Sequence, residues 1–343
     1  MNILAGDIGG TKTLLAVFSC QNELIKLHQK KYSSKNWVSL EPMIKDFMET
    51  LPSTIKPPRQ SCLAIAGPVS QGRCRLTNLN WSLNEDELRR SLNLDSLELI
   101  NDVCVLIYGI PSFKKEQFIQ IQHSQSQVKS YKRVAIIAAG TGLGISKGVF
   151  NANQVLAFPT EGGHQEFSPR SITEWEMTRW LKSDLKIKRL SLERIVSGIG
   201  LGHIARWRLN KSDAIKHPLK TIANDWPLNN TIDLPSLAST AAKTGDKLMQ
   251  EALQIWLGAY GSAAGDLALS ELCEGGLWIA GGAASKNLDG IKSHHFLESM
   301  KNKGRFSNYV SDLPVMALVD PEAGLFSAAC RARMLAESNE KLN

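Results

Sequence analysis

Two segments of the chain follow the same order: an apolar strand, a glycine turn and a second apolar strand. The first is NILAGDIGGTKTLLAVFS from Asn2, the second VAIIAAGTGLGISKGVF from Val134. In the first, Leu14, Leu15, Val17 and Phe18 resume at β-like density directly after the turn, which makes the element a hairpin rather than a strand feeding a helix. That distinction excludes two common nucleotide loops. A Walker A loop reads GxxxxGK[ST] and opens a helix, whereas here Gly6 is followed by Thr11, Lys12 and Thr13 out of register. A dinucleotide fingerprint needs strand, GxGxxG loop and helix, which is also missing. One glycine hairpin per half of a 343-residue chain, about twice the usual domain length, predicts duplicated α/β domains facing one another.

The remaining pattern fills in that architecture. A helix is expected over 40–51, a strand over 62–66 ending at Gly67-Pro68, and a helix capped by Ser82 or Asn84 with Glu85 to Glu87 in its first turn. Strands follow at Leu97 and over 133–139. The basic stretch Arg179–Arg194 reads as one amphipathic helix with a solvated basic face, and residues 207–236 as an irregular excursion. Helices are expected over 234–257 and 259–272, a strand in GLWIAGGAA, and a closing helix over 322–337.

Composition narrows the class. Six cysteines lie far apart with no CxxC or Cys/His spacing, which argues against a metal-cysteine site and for reduced thiols in a cytoplasmic protein. The longest weakly polar run is too short and glycine-rich to span a bilayer. The start MNILAGD lacks a secretory signal, and no helix-turn-helix extension precedes it. A formal charge of +7 favours anionic partners such as phosphorylated ligands. No nucleic-acid module is recognisable, so neither nucleic acid nor membrane is an expected partner.

Five stretches carry residues with chemical potential. Asn101 and Asp102 interrupt the apolar run LELINDVCVLIYG. A carboxylate there is either used or spent locally, as an Asx turn or as the cap of a helix beginning near Val103. Gly9, Gly10 and Thr11, and again Gly140, Thr141 and Gly142, offer bare backbone amides beside hydroxyls, an anion cradle if they are more than tight turns. Asp7 stands at a strand end where it can hold Mg²⁺ or its water shell. FPTEGGHQEF sets Glu161 and His164 around two glycines, where the alternative is a polar surface turn. Glu193 precedes SGIGLG and reads locally as an exposed helix carboxylate.

In order, LAGDIGGTKT, INDVCV, AAGTGLG, PTEGGHQEF, LERIVSGIGL and IAGGAA resemble the motifs of the bacterial ATP-dependent glucokinases, in the hexokinase branch of the actin-like ATPase (ribonuclease H-like) superfamily. The likeness spans the chain, including LTNLNW and KGRFSNYVSDLPVMAL. It implies a two-domain α/β fold with a cleft between a small domain, 1–112 plus 321–343, and a large one, 113–320. It implies a homodimer that moves the γ-phosphoryl of ATP to the 6-hydroxyl of glucose with Mg²⁺. Asp102 matches the general base and Asn101 a sugar ligand; Glu161, His164 and Glu193 match groups on the ring hydroxyls. Gly9, Gly10 and Thr11 match the first phosphate loop, and Gly140, Thr141 and Gly142 the second. Gly281 and Gly282 match the adenosine side, and Asp7 the aspartate that organises Mg²⁺. Thr160 departs from the glycine many relatives carry. Another hexose as substrate, or a sugar sensor without turnover, are the alternatives the same fold admits.

Overall fold

The computed structural model describes residues 1–76, 79–124, 132–151, 154–229 and 231–340. Thr77 and Asn78 of the LTNLNW motif lie outside the described residues. The chain divides into two compact units: 1–117, 153–159 and 320–343 form the first, and 118–152 with 160–319 the second.

The first unit begins with the glycine hairpin. β1 (Asn2–Ile8) and β2 (Lys12–Cys20) pair antiparallel, and β3 (Leu24–Ser33) adds to β2. After α1 (Leu40–Glu49), β4 (Gln60–Ile65) returns parallel to β1. A small sheet of β5 (Val69–Ser70), β6 (Arg73–Arg75) and β7 (Ser82–Asn84) leads into α2 (Glu85–Ser91). Asn84 is the cap of α2, its side chain accepting the Glu87 N–H at 3.2 Å. β8 (Ser96–Asn101) then completes a sheet of order β3-β2-β1-β4-β8, and α3 (Leu106–Gly109) follows it.

Strand alternation sends neighbouring residues to opposite faces of this sheet, and both faces are covered. Leu4, Ile8, Leu15, Val17, Leu63 and Ile65 meet Leu40, Met43, Ile44 and Phe47, which recur at helical spacing on α1. Ile3, Ala5, Leu14, Ala16, Cys62 and Ala64 meet Leu325, Ala328, Ala329 and Ala332 of the C-terminal helix. Asp7 shares the parity of Ile3 and Ala5, which aims it toward that helix.

In the second unit β9 (Phe118–Gln122) precedes the other glycine hairpin, β10 (Lys132–Ala139) with β11 (Leu143–Asn151). β12 (Gln154–Thr160), whose residues up to Pro159 count with the first unit, leads to α4 (Ile172–Asp184), α5 (Gly198–Leu209), α6 (Lys220–Asp225), α7 (Leu234–Lys243) and α8 (Lys247–Glu271). β13 (Leu277–Ala280), α9 (Gly282–Lys286), α10 (Leu288–Ile291), α11 (His294–Lys301), α12 (Ser307–Ser311) and β14 (Val315–Leu318) complete this unit, and α13 (Ala323–Glu340), which belongs to the first unit and covers that unit's sheet, ends the chain. β13 lies parallel between β10 and β14, with β9 antiparallel at the edge. Trp256 and Tyr260 of α8 are fully buried in this unit's core, and the Tyr260 hydroxyl donates to Ile137 O at 3.1 Å.

Three expectations are corrected. Arg179–Arg194 is not one helix: α4 stops at Asp184, and Lys186 takes φ +53°, after which the chain turns back. The charged spacing there came from two segments rather than one face. The break in 234–272 falls at Gly245-Asp246, not at Gly258. Asp246 caps α8 by accepting the Met249 N–H at 2.9 Å. Gly258 sits mid-helix because a Cβ there would lie 2.7 Å from Arg170 Nη2. The 207–236 excursion holds α6 and the first turn of α7. All six cysteines carry free thiols, and among the described residues no helix is long and apolar enough to cross a membrane.

Candidate active site

In the first unit three parallel strands end side by side. Ile8, Ile65 and Asn101 are in register, the Ala66 N–H donates to Ile8 O at 3.0 Å, and the Asp102 N–H donates to Ile65 O at 2.9 Å. The carboxyl ends of parallel strands are where open α/β sheets place their chemistry, because side chains leaving the sheet there are held yet accessible. Asp7 and Asp102 both occupy this edge.

The Asn-Asp pair divides two duties. Asn101 Oδ1 accepts the N–H groups of Val103 at 3.1 Å and Cys104 at 3.0 Å, while Nδ2 donates to Gly67 O at 3.2 Å and to Asp102 Oδ1 at 3.1 Å. Asn101 therefore makes the turn, and regular helix begins only at Leu106. Asp102 as the helix cap is corrected: the amide beside it holds the turn. Burial pushes the Asp102 carboxyl up to about 6, the nearby Asp7 charge adds to the rise, and the Val103 N–H and Asn101 amide oppose it. A carboxyl poised there ionises at neutral pH and is still basic enough to take a proton.

Asp7 is also raised by burial, with the Lys12 charge pulling the other way. A Cβ on Gly324, in the first turn of α13, would lie 3.3 Å from Asp7 Oδ2. That close approach went unnoticed in the sequence, because Gly324 and Asp7 stand at opposite ends of the chain. The hairpin turn beside Asp7 is tight, with the Gly9 N–H donating to Lys12 O at 3.0 Å. Ser34 braces it, its hydroxyl donating to Gly9 O at 2.7 Å and its N–H to Thr11 O at 3.0 Å.

The second unit gathers the other predicted residues. The Gly140 N–H donates to Gly142 O at 2.9 Å, closing the turn, and the Gly198 N–H at the start of α5 donates to Gly140 O at 2.8 Å. Glu193 is not on a regular α-helix. It lies in the short 3-10 turn Leu192–Arg194, and its Oε2 accepts the Leu143 N–H at 3.0 Å, just past the glycine loop. A Cβ on Gly142 would collide with that carboxylate, so the loop glycine and Glu193 form one packed element.

Glu161 precedes the 3-10 turn Gly162–His164 and His164 ends it, with His164 Nε2 3.8 Å from Glu161 Oε2 and both side chains exposed. A Cβ on Gly163 would collide with Leu143 O, which ties this turn to the same strand start that Glu193 holds. Arg189 Nη1 donates to His164 O at 2.6 Å. Thr160 pins the turn's entry: its hydroxyl donates to Ile145 O at 2.9 Å and accepts the Gly162 N–H at 3.2 Å. Thr160→Val keeps the shape and removes both bonds; it is expected to cost about 1–2 kcal/mol of stability. A urea midpoint checks this, and an unchanged midpoint sinks it.

Gly140, Thr141, Gly198 and Gly282 open onto a cavity of about 940 Å³ within the second unit, walled by Trp226, Ile232 and Pro235. Gly281 is held against β10: φ is +92°, and a Cβ would overlap Ala139 backbone atoms. Gly282 has open space where its side chain would be. The cavity's far wall, with Trp226 and His203, was missed in the sequence because it is assembled from α5, the 3-10 turn Trp226–Leu228, α7 and α9 and carries no local signature.

Comparison with known proteins agrees in extent. The family model described as Glucokinase matches residues 4–335. A glucokinase of Trichormus variabilis is 37% identical over 97% of this chain and 99% of its own length. The crystal structure of a glucokinase from an Antarctic psychrotroph, 27% identical, matches with a TM-score of 0.81 over 97% of this chain and 99% of that one. The glucokinase of Balamuthia mandrillaris, solved in complex with glucose, is 21% identical and shares the fold at a TM-score of 0.74, over 97% and 93% of the two chains.

Proposed function

Because the chain belongs to the glucokinase family, which has the actin-like ATPase fold, we propose how its residues move the γ-phosphoryl of ATP to the 6-hydroxyl of glucose. Asp102 accepts the hydroxyl proton as the oxygen bonds to the γ-phosphorus and the bond to ADP breaks, giving glucose 6-phosphate. The observation that carries this is the pairing of a buried carboxyl raised to about 6 with a neighbouring amide that has taken over the turn. Asn101 belongs to the sugar site as the group that fixes the Asp102 carboxylate.

In the second unit, Glu161, His164 and Glu193 take ring hydroxyls. Glu193 uses one oxygen on the Leu143 N–H, which couples sugar recognition to the loop Gly140-Thr141-Gly142. That loop and Gly9-Gly10-Thr11 each supply amides for phosphate oxygens, and Gly281-Gly282 the adenosine side. Phosphoryl transfer depends mostly on positioning and charge stabilisation, so two amide cradles, a metal ion and one carboxylate base form a sufficient kit.

Mg²⁺ supplies neutralisation of the phosphate oxygens when it is bound. Asp7 fits it indirectly: it is a hard oxygen donor, partly stripped of water and beside a glycine that leaves room. Among the described residues no group of three metal-ligating side chains forms. That donor set suits an ion that keeps its own waters and the nucleotide's oxygens rather than an all-protein cage. The proposal extends to a cytoplasmic homodimer, with the six free thiols in keeping with a reducing compartment.

The test is sugar-dependent ADP formation from Mg-ATP, with glucose beside mannose, fructose, N-acetylglucosamine and a no-sugar control. Turnover selective for glucose is expected. Preference for another hexose overturns the substrate, and a folded protein without turnover on any sugar overturns the reaction.

A further inference from the structure

His203 is an anomaly in the second unit. It sits on α5, five residues past the Gly198 N–H that bonds the phosphate loop, and it is 5% exposed. Neither ring nitrogen has a hydrogen-bond partner among the described residues. A buried polar group without a partner costs stability comparable to a lost hydrogen bond, and one that faces a cavity is placed to be completed by what the cavity holds. His203 lines the 940 Å³ cavity that also holds Gly140, Thr141 and Gly282. Its ring packs edge-on to Trp226, centroids 5.3 Å apart, and Trp226 in turn leans on Gly202, where a Cβ would lie 2.6 Å from the indole.

We propose that His203 hydrogen-bonds the edge of the nucleotide's purine base, and so sets how tightly this enzyme holds ATP. The assignment rests on the proposed placement of the triphosphate at Gly140–Gly142. At about 7.5 Å along α5 from Gly198, by helical rise, His203 is past the phosphates and level with the apolar wall. A flat heterocycle would there be sandwiched by Trp226, Ile232 and Pro235. Burial and the Arg194 and Arg206 charges lower its basicity to about 4, against a smaller pull from Asp184, so the ring is neutral at pH 7. A neutral imidazole carries one N–H and one lone pair on diverging axes, so it makes a single bond to the purine edge, its lone pair accepting a 6-amino N–H. It has no charge for phosphate.

The experiment compares the native enzyme with His203→Leu and His203→Gln. Three measurements are made: KM for ATP, KM for purine riboside triphosphate, which lacks the 6-amino group, and inhibition by inorganic tripolyphosphate, which lacks the base. The expected result is a rise of about tenfold in KM for ATP in His203→Leu, partly rescued by Gln, with tripolyphosphate inhibition unmoved. Native enzyme should prefer ATP to the deaminated analogue, and the Leu variant should not. Equal losses toward ATP and tripolyphosphate, or retained base discrimination, overturn the inference while leaving the kinase reading intact. A native enzyme that fails to use ATP overturns that reading instead. If neither variant folds, the imidazole ¹⁵N shifts of His203 in the native protein with and without ADP decide, and unmoved shifts overturn the proposal.

Discussion

Asp102→Ala is expected to lower kcat by at least about 100-fold with the fold intact, since a positioned base contributes about 10²–10⁴-fold. The substitution leaves Asn101 free to keep its bonds to the Val103 and Cys104 N–H groups, so the turn survives the loss of the carboxylate. The native kcat/KM should rise with pH and level off above about pH 6, because only the ionised carboxyl accepts a proton. A flat profile from pH 5 to 8, or unchanged turnover in the variant, removes Asp102 from the chemistry.

The same carboxyl makes a prediction about stability with the opposite sign to its former reading as a cap. In the unfolded chain it titrates at the ordinary 3.8, and in the folded chain at about 6. Below pH 3.8 both states hold the proton and no penalty exists. As pH rises through 3.8 to 6 the unfolded state ionises first, so stability is lost across that window. Above it the penalty is constant, on the order of 3 kcal/mol. Asp102→Asn should therefore melt higher than the native protein at pH 7, and the gain should vanish near pH 4. A helix cap would instead lose about 1 kcal/mol. Differential scanning at the two pH values distinguishes them.

What the sequence disclosed follows the range of the interactions involved. Both glycine hairpins, the strand before Asn101 and the Asn84 cap were legible because each is decided within a few residues. The glycines at 245 and 258 show where local reading fails. Both interrupt helical patterns, and the difference between a break and a packing notch depends on Arg170, which comes from another segment. Glu193 fails similarly: its neighbours suggest a helix surface, and its bond to the Leu143 N–H spans fifty positions. Thr160 stood out as a departure from related sequences, yet its two hydrogen bonds required the position of Ile145. Motif order compensated for this, since it assigned roles to positions whose contacts no window could foresee.

Two adjacent glycines at the end of β13 provide the second large effect, because the structure asks different things of them. Gly281 has φ +92° and ψ 156°, a region closed to other residues, and its absent Cβ would overlap the Ala139 backbone. Backbone strain of this kind costs about 1–3 kcal/mol, and the clash adds to it, because β10 is held on both sides by β11 and β13. Gly281→Ala is expected to lose about 3 kcal/mol or more and to lower the unfolding midpoint by about 6 °C or more. Gly282 has nothing within 4 Å of its missing side chain and begins α9. Gly282→Ala should then melt within about 1 °C of the native protein, since a surface-like change falls within ±0.5 kcal/mol. Its methyl group protrudes instead into the cavity reached by Gly140 and Thr141. The expected cost is a KM for ATP raised several-fold, with the KM for glucose unmoved. Equal melting of the two variants would show that the turn relaxes freely, and an unchanged ATP titration for Gly282→Ala would move the nucleotide out of this cavity.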